Sequence, residues 1–67
     1  MGKKNTVSYD LDGDILTIER TDKHSLGRMI RKLEGYNLPI TEIIMDGLNI
    51  TELHRAIRGA EERKAWN

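Results

Sequence analysis

Cysteine and phenylalanine are absent from the 67 residues, and proline occurs once. Without cysteine there can be no disulfide, thiolate zinc site or thiol nucleophile. The lack of disulfides fits a reducing compartment, and a cytoplasmic location is the expectation. With no Phe, and the single Trp at position 66, the core must be aliphatic. Charge of one sign is also missing, since eleven Lys and Arg balance eleven Asp and Glu. A neutral total gives no general attraction to nucleic acid or to an anionic membrane. No apolar run approaches the roughly 20 residues of a membrane span. The opening MGKKNTVSYD has no apolar stretch of the kind a secretory leader needs. It fits the Met-Gly-x-x-x-Ser/Thr pattern for myristoylation, but a flexible polar tail over residues 1–5 accounts for it as well.

A chain this short is one domain, residues 1–67, and buries only about 60% of its unfolded surface. Domains of this size usually add a disulfide, a metal or a partner chain. Disulfides are excluded, and no cofactor or metal set emerges below. Self-association therefore becomes the expectation, with a symmetric dimer favoured.

Two strands are predicted over residues 6–11 and 14–20, where apolar residues alternate. Val7, Tyr9 and Leu11 share a face in the first, Leu16 and Ile18 in the second. Asp12-Gly13 between them is the signature of a two-residue type I′ turn. Such a turn places Leu11 opposite Asp14, Tyr9 opposite Leu16 and Val7 opposite Ile18, so the apolar residues meet on one face. Asp10, Asp12 and Asp14 also invite a calcium-loop reading. An EF-hand loop begun at Asp10 needs Gly at its sixth position and Glu at its twelfth. Ile15 and Thr21 stand there, so the turn is the better reading.

Thr21-Asp22 then supplies a helix N-cap. Leu26, Met29, Ile30 and Leu33 follow the helical period, and Gly35 reads as the stop, giving a helix over about 23–34. A third strand is predicted over about 40–46, with Ile43 and Met45 on one face and Ile40 and Ile44 on the other. Apolar residues on both faces suggest a central strand, or a second subunit covering the outer face. A last helix starts at Asn49. Asn49 is its expected cap, Glu52 completes a capping box, and Leu48 and Leu53 form a staple. Capping also explains Asn49-Ile50-Thr51, which matches the glycosylation triplet. Ile50, Leu53, Ile57 and Ala60 form the expected buried stripe, with Ala56 at its edge. The fold class is α+β, a small ββαβα domain. The hairpin and third strand make one sheet, with strand one central and two helices packed on one face.

Chemistry is harder to find. His24 and His54 lie in the first turns of different helices and fit no metal-ligand spacing. Ser25 adjoins His24, but neighbouring helical residues do not face each other. No phosphate-cradling glycine motif occurs. No catalytic constellation emerges, and the chain reads as a non-enzyme with no cofactor. Charge is uneven, however. Lys23, Arg28, Arg31 and Lys32 crowd the first helix against Glu34 alone, while the hairpin is acidic. That basic face is a candidate for phosphate or nucleic acid, although a solvated helix face is equally ordinary. Ile40, Ile44 and Trp66 are the candidate interface, Trp being common at interface centres. Trp66 otherwise belongs to a frayed end at 65–67. The function expected is a small cytosolic protein-interaction module of regulator or inhibitor type, acting by binding and self-associating through a sheet edge or the second helix. The alternative is a nucleic-acid or nucleotide-phosphate binder using the basic face.

Overall fold

The computed structural model describes residues 3–65, with side chains through residue 61. The elements run β1 (Asn5–Leu11), β2 (Asp14–Arg20), α1 (Lys23–Gly35), β3 (Ile40–Met45), β4 (Leu48–Asn49) and α2 (Thr51–Ala65). The strands form one antiparallel sheet in the order β2-β1-β3-β4, with β1 inside. The class is α+β, as the sequence predicts, with a short fourth strand added.

The first hairpin has the predicted register: Leu11 pairs with Asp14, Tyr9 with Leu16 and Val7 with Ile18. Asp12 and Gly13 take φ of 53° and 92°, the left-handed pair a type I′ turn requires. The Asp10 carboxylate accepts the Gly13 N–H at 2.9 Å, so one of the three acids serves the turn. A second hairpin repeats the device. Asp46 and Gly47, at φ 51° and 79°, turn β3 into β4. Asn5 pins this turn from the far end of β1. Its amide oxygen accepts the Asp46 N–H at 3.0 Å, and its side chain is buried. The expected tail over 1–5 therefore gives way to strand at Asn5.

Helix α1 lies across the face that carries Val7 and Ile43. Leu26, Ile30 and Leu33 descend from the helix at the predicted spacing and close the core with those two residues. Tyr9, Ile18, Met29, Leu38, Ile40, Met45 and Ile50 pack around this centre, and among the described residues no aromatic ring enters it fully. The predicted cap is right: Asp22 is extended, and its carboxylate accepts the Ser25 N–H at 2.8 Å. The predicted stop is not. Gly35 stays helical, and Asn37 takes the left-handed conformation at φ 60°. Leu38 N–H then reaches back to Leu33 C=O and Asn37 N–H to Glu34 C=O, which is a Schellman ending.

The Ser25 N–H, joined by the hydroxyl of Ser25 and the backbone of His24, holds the Asp22 carboxyl below its ordinary value of 3.8. A folded value below the unfolded one means that the unfolded chain binds more protons. The stabilisation from this cap is therefore complete above the ordinary value and is lost as pH falls through the lowered one. Urea midpoints followed from about pH 5 to about pH 2 should fall less for Asp22→Asn than for the parent. The amide still accepts the Ser25 N–H but does not titrate. Parallel curves would show that Asp22 contributes nothing to acid sensitivity.

Strand β3 departs from simple alternation. Glu42 pairs with Ser8, but Tyr9 pairs with Ile40, so the ladder slips at Thr41. One extra residue reverses which face later side chains occupy. Ile40 therefore joins Tyr9 against the core, while Ile44 lies on the opposite face beside Thr6. The expectation that Ile40 and Ile44 share an outer face is corrected. That outer face carries Thr6, Ser8, Thr17, Glu19 and Glu42, and the Ser8 and Thr17 hydroxyls bond across it at 2.8 Å. Ile15 and Ile44 also lie on this otherwise polar face, and an antiparallel sheet can leave such a face in water.

Helix α2 also begins differently from the sequence expectation. Asn49 ends β4, and His54 N–H bonds to Ile50 C=O, so Ile50 opens the helix. Asn49 still contributes, because its side-chain oxygen accepts Thr51 N–H at 3.0 Å and the Thr51 hydroxyl at 2.6 Å. The same hydroxyl oxygen accepts the buried Ile43 N–H at 2.9 Å. Glu52 pairs with Arg55 instead of closing a capping box.

Candidate interaction surfaces

Among the described residues, helix α2 is anchored at its start and along one flank. Glu34, near the end of α1, receives the Arg58 guanidinium at 2.9 Å and faces His54 Nε2 at 3.7 Å. Ile50 packs on the core. Beyond these ties the helix projects. The Cα radius of gyration is 12.5 Å, against about 11 Å for a compact chain of this length. The expected buried stripe is consequently uncovered. Leu53 is 59% exposed, Ile57 is 50% exposed, and Ala56 and Ala60 are also exposed. Only Ile50 of that stripe reaches the core, because the short β4 delivers the helix to the margin of the sheet and not across it. Leu48, the expected staple partner of Leu53, is 69% exposed.

The four candidate cations on α1 are not gathered in one place. Arg28 and Lys32, one helical turn apart, line a hollow of about 230 Å³ with Ser25, Met29 and Arg20 of β2. Lys23 and Arg31 lie elsewhere on the helix and do not line it. Arg20 was not among the residues singled out from the sequence. Its place at the end of β2, over the Ser25–Met29 flank of α1, emerges only once the helix is laid on the sheet. Its guanidinium donates to Glu19 C=O at 3.1 Å and touches Met29 Sδ at 3.5 Å. No carboxylate pairs with Arg20, Arg28 or Lys32 among the described residues.

The two histidines stay apart, His24 at the start of α1 and His54 beside Glu34. Among the described residues no three of His, Asp and Glu gather as a metal site. No described helix is long and apolar enough to cross a membrane. Of the candidate interface residues, Ile40 belongs to the core margin and Ile44 to the polar sheet face. Trp66 lies outside the described residues. The sheet edges also differ. At β4, Ile43 C=O accepts Ile50 N–H and Ile43 N–H donates to Thr51, so the start of α2 closes the ladder. At β2, among the described residues, no backbone segment does; the Arg20 guanidinium meets Glu19 C=O alone, and Ile15 and Leu16 are exposed. No protein-family model, curated protein or solved structure matches the chain.

Proposed function

We propose that the protein is a small cytosolic binding module that acts by contact with other protein chains, itself included, and not by turnover. The observation that carries this reading is the uncovered row Leu53, Ala56, Ile57 and Ala60 on a helix that is otherwise tied down by Glu34 and Thr51. An apolar row held in place and left in water favours a protein partner, because burying it stabilises a complex by about 25 cal/mol per Å². A regulator or inhibitor could act through such a helix face, laid into a partner's groove. A second reading has one observation in its favour. Arg20, Arg28 and Lys32 converge without acidic partners around one hollow, and such a group attracts phosphate.

One experiment separates the two. The parent, Leu53→Glu/Ile57→Glu and Arg28→Glu/Lys32→Glu are used as bait in extracts of the native host at two salt concentrations. The first double variant should lose the parent's protein partner, while the second keeps it. Retention that survives the α2 changes, but falls with salt and with the α1 changes, would instead favour phosphate recognition.

A further inference from the structure

We infer that strand β2 pairs with β2 of a second copy, antiparallel and centred on Thr17, to make one continuous eight-stranded sheet. The inference rests on the self-association in the reading above and adds its surface and register.

The two-residue turn makes Leu11 and Asp14 a hydrogen-bonded pair. Residues 14, 16, 18 and 20 therefore spend their backbone groups on β1. Ile15, Thr17 and Glu19 aim theirs at the open edge, where the Arg20 guanidinium holds Glu19 C=O in the single chain and must leave it for the pairing to form. Such an edge usually carries proline, lysine, a bulge or a covering segment to prevent pairing. The run DILTIER has neither proline nor lysine, and its ladder with β1 is unbroken for seven residues. On the opposite side β4 is only two residues long, and Ile50 and Thr51 take up the Ile43 backbone beyond it, so little open backbone is left there.

Only matching parity lets two open edges bond, and this leaves a few registers. In the one centred on Thr17, Thr17 faces its own copy and Ile15 faces the partner copy's Glu19, each exchanging N–H and C=O. Between them Leu16 falls opposite Ile18, apolar against apolar, on the face that already carries the core. At both ends Asp14 falls opposite Arg20. Neither has an ion-pair partner among the described residues, and cross-strand neighbours of opposite charge attract. A shift of one register toward the turn sets Leu16 against itself, Ile18 against Asp14 and Arg20 against Asp12. The shift the other way sets Leu16 against Arg20 and Asp14 against Asp22. The charge and apolar patterns agree only in the central register. The pairing also brings Arg28 and Lys32 of the two copies toward the dyad. That opposes association, so measurements belong at about 0.15 M salt, where charges are screened beyond about 8 Å.

The test is a charge swap read by analytical ultracentrifugation. Asp14→Arg and Arg20→Asp singly should each raise the dimer dissociation constant about tenfold, because each sets like charges opposite at two symmetric places. The double variant should return to near the parent value. In the cysteine-free chain, Thr17→Cys should form a covalent dimer on mild oxidation, since directly opposed Cα atoms lie about 5.5 Å apart. Ile15→Cys should not, because its copy lies four residues along the ladder. A monomeric parent at all concentrations would overturn both this inference and the self-association it rests on. A dimer that ignores the charge swap and does not cross-link at Thr17 would overturn the β2 pairing alone.

Discussion

Leu26→Ala should remove much of the stability of this domain, about 2–5 kcal/mol. Leu26 is fully buried, at the point where α1 meets Val7 and Ile43. Domains of this length are held by only about 3–10 kcal/mol in all. The five buried residues beneath α1 are all aliphatic, and the Tyr9 ring packs at their margin. Urea unfolding followed by circular dichroism gives the measurement, and a midpoint lowered by about 2 M or more is expected. Leu53→Ala is the internal control. With Leu53 mostly in water, its truncation should move stability by no more than about 0.5 kcal/mol. Equal losses for the two leucines would mean that α2 packs its apolar row against the domain, and the binding surface proposed above would vanish.

Thr51→Val should cost about 1–3 kcal/mol although it preserves size and shape. The loss has a specific origin. Strand β3 ends its ladder on one side at β4, and the Ile43 N–H there meets no backbone acceptor. The Thr51 hydroxyl stands in for the missing strand. Valine fills the same volume with a methyl group and leaves a buried donor unpaired. Thr51→Ser restores the oxygen and should recover most of the stability. Hydrogen exchange gives a local readout: the Ile43 amide should lose protection in Thr51→Val and keep it in Thr51→Ser. Unchanged protection in the valine variant would show that this hydroxyl is not the acceptor.

Much of the architecture could be read in advance, because local chemistry and long-range packing agree there. The Asp12-Gly13 dipeptide sets a register, the alternation of Val7, Tyr9, Leu16 and Ile18 confirms it, and Asp22 marks where the helix must begin. The misreadings have separate physical causes. Asp46-Gly47 repeats the same turn signal, but only Leu48 and Asn49 follow before the helix, too few to show a strand period. The slip at Thr41 carries no composition of its own, so Ile40 and Ile44 keep matching parity in the sequence while lying on opposite faces of the sheet. Asn49 caps as its residue type suggests, but β4 and the buried Ile43 N–H, which draws on the Thr51 hydroxyl, shift the helix start to Ile50, and that becomes visible only when β3 is in place. The apolar period of α2 states that a face seeks cover without stating who provides it. Arg20, likewise, looks like the end of a strand until α1 brings Arg28 and Lys32 alongside it.

The placement of β1 between β2 and β3 has a consequence for biosynthesis. Val7 finds Ile18 across a two-residue turn, but it meets Ile43 only after α1 has been made. A hairpin can zip within microseconds, whereas translation adds about 5–20 residues each second. For a second or more the nascent chain therefore offers the ribosome's surroundings a lone ribbon, greasy on one side and unpaired along both margins. The polar composition of Thr6, Ser8 and Asp10, which turn their backbone toward the still-missing neighbour, suits a margin that must wait in water.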